Sequence, residues 1–253
     1  MLTTQRKQLL LARLQQDGQI VAKAFSEELG ISEDTVRRDL RELAAEGRLQ
    51  RVHGGALPAS AAMGNLQARE QLAPDDKRAL GRAGAALVLP GQVVILDGGT
   101  TSLQVVQHLP LDLRATVVTH SPTVAVALAG HAQVEVLMLG GRLFRHSMVN
   151  VGASVVEAAA QLRVDLYLMG VTGVHAETGL TTGDFEEAAV KRALHQRAAE
   201  TVVLASIDKL GTASPFSVAP LHELAALVVP GATPQALRKK LQGGGAKVEI
   251  AAS

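Results

Sequence analysis

Between Ile20 and Ala56 the chain reads IVAKAFSEELGISEDTVRRDLRELAAEGRLQRVHGGA, two helical stripes divided by a glycine and followed by a basic hairpin. Val21, Ala24, Phe25 and Leu29 fall at i, i+3, i+4 and i+8, which is one face of a helix. Gly30 stands where a helix ends in a left-handed conformation, which costs glycine little. Ser32 suits the N-cap of a second helix, with Glu33 and Asp34 in the first turn, where the helix dipole favours negative charge. Val36, Leu40 and Leu43 give that helix one buried stripe and leave Arg37, Arg38 and Arg41 facing outward. A short turn between two amphipathic helices, the second carrying arginines, is what reading a DNA major groove requires. Upstream, Thr3 or Thr4 is expected to cap a first helix that ends at Asp17-Gly18. Downstream, Leu49 to Ala56 is expected to form a hairpin turning at Gly54-Gly55. Three helices and a hairpin make a winged helix over residues 1–57, and Ser32, Asp34, Thr35, Arg37, Arg38, Arg41, Arg48, Arg51 and His53 are its expected DNA-facing residues.

Charge placement has to carry that reading, because charge totals do not. Residues 1–57 hold nine Lys/Arg against eight Asp/Glu, and the whole chain has a net charge of +1. That argues against an unspecific nucleic-acid coat, since DNA-binding domains often have a pI above ~9. The arginines cluster on the second helix and the hairpin, while Glu27, Glu28 and Glu46 can lie elsewhere. Taken singly, each arginine also reads as part of a solvated helix face. The turn and the hairpin after it favour the DNA reading.

After a small-residue linker, expected over residues 58–74, the pattern changes. Apolar runs of strand length at Val93–Asp97, Ala115–Thr119, Val134–Leu139, Val164–Met169, Thr201–Ala205, Leu227–Val229 and Val248–Ala251 mostly alternate with helical stretches. Strands separated by helices predict a Rossmann-like α/β domain over residues 75–253, its parallel sheet covered on both faces. Nearly half the chain is apolar, but with one Tyr and no Trp its core must be Leu, Val and Ala. The absence of Cys excludes disulfides, thiolate metal sites and a cysteine nucleophile. No apolar run approaches the ~18 residues of a membrane span, and the first apolar cluster is too short for a signal peptide. A soluble cytoplasmic protein with no membrane partner is expected.

The strand ending at Asp97 runs into Gly98-Gly99-Thr100-Thr101-Ser102 and then a helix. Ligands of open α/β sheets bind at the carboxyl ends of strands, and unpaired N–H groups at a helix start favour an anion. These residues make a candidate phosphate cradle, although such turns also carry Gly and Thr for structural reasons alone. Further strand ends supply Thr119-His120-Ser121, Gly140-Gly141 and Thr172-Gly173. Glu187 and Lys191 lie at i and i+4 on a later helix, either a surface ion pair or a pocket pair holding a hydroxyl and a phosphate, and Lys209 adds a cation. There is no Walker loop, no GxGxxG and no metal-like histidine spacing, so no cofactor and no metal are expected. No serine-hydrolase elbow is present.

The string SEDTVRRDLRELAAEGRLQRVHGGA resembles the helix-turn-helix of the DeoR/GlpR family of bacterial transcriptional regulators, with Arg6, Leu10 and Leu14 fitting upstream. ILDGGTTS, VVTHSP, LMLGG, GVTG, EEAAVK and ASIDKLG are similar, in order, to the sensor domain of the same regulators. The resemblance implies a sensor fold like that of sugar-phosphate isomerases with catalysis lost. It also implies phosphorylated sugars or related metabolites as effectors, and repression of carbohydrate catabolic or transport genes. The chain departs from the pattern at His120, where many relatives have Asn, and at Ser206-Ile207-Asp208-Lys209, where many have Asp-x-Ser-Lys. The expected partners are double-stranded operator DNA, a phosphorylated sugar or polyol, and further copies of the chain as a dimer or tetramer, because paired half-sites need an oligomer. The alternative is a sugar-phosphate isomerase-like enzyme with an accessory DNA-binding domain, using Asp97, Asp184 and Glu187 as acid/base groups and Lys191 for charge stabilisation. An isomerase has no need of the first 57 residues. An architectural DNA-binding protein without an effector would leave the hydroxyl-rich strand ends unexplained.

Overall fold

The computed structural model describes residues 2–252. Helix α1 (Thr3–Asp17) ends on Gly18 in the left-handed region. Neither Thr3 nor Thr4 caps it. The cap position falls to Leu2, whose N–H donates to Gln5 Oε1 at 3.3 Å. Strand β1 (Ile20–Val21) leads into α2 (Ala22–Leu29), which closes on Gly30, and α3 (Glu33–Ala45) follows. Because the chain stays extended through Val21, α2 starts late and its buried face is Ala22, Phe25 and Ser26, while Val21 and Ala24 are exposed. The α3 stripe of Val36, Leu40 and Leu43 is buried as expected.

The wing consists of β2 (Leu49–Val52) and β3 (Gly55–Pro58), antiparallel, with β1 on the far side of β3. Val52 pairs with Gly55, so the turn is His53-Gly54 and not Gly54-Gly55, with Gly54 at φ +76°. Gly55 matters for close approach instead. A Cβ there would collide with Ile20 O, so only glycine lets β1 come up against β3. Leu10, Leu14, Ile20, Phe25, Val36, Leu40, Leu43, Leu49 and Ala56 close one small core. Across it, Arg6 of α1 grips Asp39 of α3 with two parallel hydrogen bonds, both residues buried.

The connecting segment is built, not bare. Ala213 N–H donates to Pro58 O, Ser60 Oγ–H donates to Thr172 O, and Leu66 N–H donates to His146 O. A single turn at Ala61–Met63 precedes α4 (Leu66–Glu70), which is capped by Asn65. The sequence carries no periodicity here because these elements are a turn or so long and each is held from outside. Helix α5 (Pro74–Ala86) follows.

Next come β4 (Val93–Leu96), α6 (Thr100–His108), β5 (Ala115–Thr119), α7 (Pro122–Ala127) and β6 (Val134–Met138). A hairpin of β7 (Arg142–Phe144) and β8 (Val149–Val151) leads to α8 (Ala153–Ala160) and β9 (Val164–Met169). Then come β10 (Gly173–His175), β11 (Gly179–Thr182), α9 (Phe185–His195), β12 (Ala198–Leu204) and β13 (Phe216–Ala219). The chain closes with β14 (Ala226–Val229), α10 (Gln235–Gly243) and β15 (Val248–Ile250).

All seven expected strands join one parallel sheet in the order β15-β14-β12-β9-β4-β5-β6. The period of two sorts its side chains between two cores. Ile95, Val118, Tyr167, Met169 and Val203 pack on one side with α8 and α9 residues. Val94, Leu96, Val117, Leu168 and Leu204 pack on the other with α5 and α6 residues. Two smaller antiparallel units were not expected from sequence: the β7–β8 hairpin and the sheet β10-β11-β13. Among the described residues no helix is long and apolar enough to cross a membrane.

The strand order places the site. The chain enters the sheet at central β4, steps outward to β5 and β6, then returns to β9 on the other flank of β4. Crossovers leaving β4 and β9 therefore diverge, opening a crevice at their carboxyl ends, where α/β sheets take their ligands.

Candidate functional site

On the winged helix, Ser32 caps α3 by accepting from Thr35 N–H at 3.3 Å, which fixes where the helix begins. Asp39 turns inward to Arg6, so Arg37, Arg38 and Arg41 are left on the outer surface. Arg37 pairs with Glu33 at 2.8 Å, whereas Arg38 and Arg41 form no ion pair among the described residues. Arg48, Arg51 and His53 are exposed on the wing and its approach, and Asp34 is exposed in the first turn of α3.

In the α/β domain the crevice holds a narrow recess of about 30 Å³. Gly98, Gly99, Thr100, Thr101, Ser102, Thr172, Glu187, Lys191 and Lys209 line it, as expected. Gly99 adopts φ +117° and a Cβ on it would meet nothing, so the loop presents bare backbone to open space. Leu103 N–H is the first of α6 to close onto Gly99 O, at 3.1 Å. The amides of Thr100, Thr101 and Ser102 precede it and have no intrahelical acceptor. Thr101 Oγ1 is buried and also lacks a partner.

Beneath this rim Asp97 is fully buried and accepts five hydrogen bonds. The donors are Gly98 N–H at 2.7 Å, His120 Nε2 at 2.8 Å, Tyr167 Oη at 2.8 Å, Gly170 N–H at 2.9 Å and Lys191 Nζ at 2.6 Å. Burial alone would push the Asp97 carboxyl up, but Lys191 and His120 outweigh it and hold the group well below the usual carboxylate range. Burial and the neighbouring Asp97 charge together push the Tyr167 phenol well above its ordinary value. Lys191 also lies 3.4 Å from Glu187 Oε1. Burial works against its charge, yet the two carboxylates raise its pKa. Glu187 Oε2 in turn accepts from Thr182 Oγ1 at 3.0 Å.

This hub corrects several expectations. Asp97 is fully buried beneath the recess and is not among the residues that line it. His120 is fully buried between Asp97 and Asn150 O, and Ser121 Oγ donates to Met148 O, so both brace the strand ends. Thr119 accepts from Ser121 N–H. Gly140 and Gly141 lie at the foot of β7; a Cβ on Gly141 would meet Val155 Cγ2 at 2.6 Å, a packing constraint. Gly173 sits inside β10. None of these residues lines the recess. Lys191 reaches it but is already held by two carboxylates.

The recess also holds three cations beyond Lys191, two of them unexpected from the sequence: Arg69 of α4 and Lys77 of α5. Lys77 is 4 % exposed and Lys209 7 %. Burial lowers the Lys209 pKa to about 8; Asp208 works against that, while Arg69, Lys77 and Lys191 add to it. Burial likewise lowers Arg69 and Lys77. Arg69 and Lys77 sit eight residues apart in an unpatterned stretch, with no signal marking them for a site after β4.

Two folded parts, one with arginines on an exposed helix and the other with an anion-friendly recess at a strand crossover, define a class: ligand-responsive DNA-binding proteins. Residues 6–61 match the DeoR-like helix-turn-helix domain and residues 73–230 the DeoR C terminal sensor domain. The chain belongs to the DeoR family of transcriptional regulators. It is 32 % identical to the HTH-type transcriptional regulator GlpR of Haloferax volcanii, over 98 % of both chains. It is 31 % identical to the HTH-type transcriptional repressor GlcR of Bacillus subtilis, over 95 % of this chain and 93 % of that one. The glycerol-3-phosphate regulon repressor of Escherichia coli is 27 % identical over 82 % and 83 %. Ribose 5-phosphate isomerase A from Methanocaldococcus jannaschii aligns over 54 % of each chain at 18 % identity and a TM-score of 0.40, too distant to add to what the sheet order says.

Proposed function

We propose that this regulator is a repressor of carbohydrate catabolic or transport genes, that α3 and the wing hold operator DNA, and that a phosphorylated sugar or polyol in the recess releases it. The observation that carries this reading is the pairing of unclaimed α6 amides with the nearby Lys209 ammonium, which no described carboxylate pairs, in one recess. A dianionic phosphate answers both. Residues 1–57 act as the DNA-binding unit, 58–74 as the connection, and 75–253 as the sensor and oligomerisation unit of a cytoplasmic dimer or tetramer. Names such as glycerol-3-phosphate regulon repressor among the relatives point the same way.

The isomerase alternative is disfavoured by the engaged carboxylates. Asp97 accepts five bonds, Asp184 Oδ1 caps α9 by accepting from Glu187 N–H at 2.9 Å, and Glu187 is held by Lys191 and Thr182. None is left as a free base beside the α6 cradle. The test is a thermal-shift screen against phosphorylated sugars and polyols and their unphosphorylated parents, followed by operator binding with each hit. A native-state ligand at ~100 times its Kd adds ~2.7 kcal/mol of apparent stability. Stabilisation by phosphorylated compounds alone, with loss of operator affinity, is expected. Turnover of ribose 5-phosphate or glucosamine 6-phosphate near the ~10 s⁻¹ enzyme median would make the protein an enzyme instead.

A further inference from the structure

The large sheet ends in two unlike edges. Strand β15 closes one of them with three residues, and Lys247 pairs with its Glu249 at 3.1 Å. Short, charged edge strands discourage pairing with another chain. Strand β6 closes the other edge with five residues, Val-Glu-Val-Leu-Met, and has no Lys, no Pro and no bulge to protect it. Among the described residues it pairs with β5 on one side alone. Leu139 N–H donates to Thr119 O, so alternate residues turn their main-chain groups the other way, and Val136 and Met138 present theirs at the open edge. The side chains are bare as well. Val136 pairs in register with Val117, which packs with Val124 of α7, so Val136, Met138 and α7 share one face. On that face Val136 is 36 % exposed, Met138 48 % and Val126 of α7 74 %; on the other, Leu137 is 46 % exposed. An apolar edge with unspent main-chain groups is a template for another strand.

We propose that β6 is the joint between copies of this chain: it pairs antiparallel with β6 of a second copy about a two-fold axis at Leu137, and the two sheets run on as one. The joint rests on the reading that the regulator works as an oligomer, and it names the surface. The strand's own chemistry selects the occupant. An open row of main-chain donors and acceptors calls for a strand. Glu135 is the one charge on β6, so neither DNA nor an acidic segment suits it. Centred on Leu137, the pairing sets Val136 against the second copy's Met138 on the α7 face, sets Leu137 against its own counterpart on the other, and carries each Glu135 out to the rim. Centred on Glu135 instead, it would set two carboxylates against each other, and like charges directly opposite destabilise a sheet. Charge thus selects the register too. A five-residue strand buries less than the ~800 Å² per partner of a standard interface, so α7 with Val126 closes over the joint as well. The joint also shares a bonded frame with the recess: Leu139 O accepts from Asn150 Nδ2, and His120 links Asn150 O to Asp97.

A chain without Cys makes the register directly testable. Val136 and Met138 face the open edge, so Leu137 falls in a non-hydrogen-bonded pair with its counterpart. Cα atoms in such a pair stand about 4.5 Å apart, within the span of a disulfide. The experiment uses the full-length protein. Disulfide formation under a mild oxidant is read for Leu137→Cys, with Leu111→Cys in an exposed turn and Ile250→Cys on the β15 edge as controls. Sedimentation equilibrium gives the mass of wild type, Met138→Lys and Val126→Glu. Both charged variants alter side chains already open to solvent, and thermal melting checks that each still folds.

Wild type is expected to sediment as a dimer or a larger even oligomer. Leu137→Cys should cross-link into a covalent dimer that reductant dissolves, while Leu111→Cys and Ile250→Cys stay largely single. Met138→Lys and Val126→Glu should keep a cooperative melt and raise the dissociation constant of the oligomer at least about tenfold. If wild type is oligomeric, Leu137→Cys stays single and both charged variants keep the wild-type mass, the joint lies elsewhere and the oligomeric reading stands. Cross-linking of Ile250→Cys in its place would move the joint to β15 and overturn the inference. Dissociation by the charged variants without a cross-link at Leu137 would overturn the axis. If wild type is a monomer, the joint and the oligomeric reading both fall.

Discussion

Lys209 gives the sensor a measurable pH signature. With its pKa lowered to about 8, the side chain is roughly nine-tenths charged at pH 7 and roughly one-tenth charged at pH 9. Across that range a phosphate monoester stays dianionic, since its second pKa is ~6. Arg69, Lys77, Lys191, Glu187 and Asp208 surround Lys209, and the three cations help depress its pKa. A seated dianion reverses that balance and draws Lys209 back to the charged form. If the charged form alone contacts the anion, affinity falls about tenfold between pH 7 and pH 9, and binding at pH 8 takes up about half a proton.

Ligand-free stability should move the other way. Between about pH 8 and the ordinary lysine value of 10.5 the unfolded chain holds the proton that the folded one has lost, so this group's contribution to stability rises with pH over that window. Titration calorimetry near pH 7, 8 and 9, in buffers of different ionisation heats, measures affinity and proton uptake together. Lys209→Arg, which does not titrate, should flatten the profile. Wild-type affinity that is level from pH 7 to 9, with no proton taken up, would refute the placement of Lys209 at the anion.

Arg38→Ala should cost ~1–3 kcal/mol of specific operator binding, and more than Arg37→Ala, whose side chain is shared with Glu33; footprint titrations on operator and random DNA compare them. Arg51→Ala on the wing should weaken both kinds of binding alike and reduce the salt slope by about 1. Lys191→Met leaves Asp97 buried without its cation, so thermal unfolding should show a loss of ~3–5 kcal/mol rather than a selective loss of effector response. Gly55→Ala drives a methyl into Ile20 O, and operator binding should disappear while the α/β domain keeps its melting transition, as calorimetry with two resolved transitions would show.

The large sheet was legible because its inner strands β4, β5, β9 and β14 are nearly continuous apolar runs, largely buried, a pattern needing no partner to be recognised. The α3 stripe was legible for the equivalent helical reason. Strands β10 and β11 were not, because Gly173–His175 and Gly179–Thr182 are short and rich in glycine and hydroxyls, the composition of a loop. Their burial comes from pairing with each other and with β13, more than thirty residues on. The recess was half legible. Its α6 rim follows directly from β4 and could be read in one stretch. Asp97, His120 and Lys191 stood out for their chemistry, but that chemistry is spent on one another. Arg69 and Lys77 precede the sheet in sequence and reach the site only because the connecting segment is folded back against it.

Tyr167 is the one tyrosine in a chain without tryptophan. Its ring is buried in the sheet and its hydroxyl donates to the carboxylate that supports the recess floor. A phenol bonded to a carboxylate emits weakly, and the yield responds to small changes in that bond. The protein therefore carries a single ultraviolet reporter, unlabelled and free of background from other aromatic emitters of comparable strength, placed under the pocket whose occupancy is to be measured. Emission from this one ring would report ligand entry, and any change in it on operator binding, corrected for absorption by the DNA, would be a signal that has crossed from the other domain.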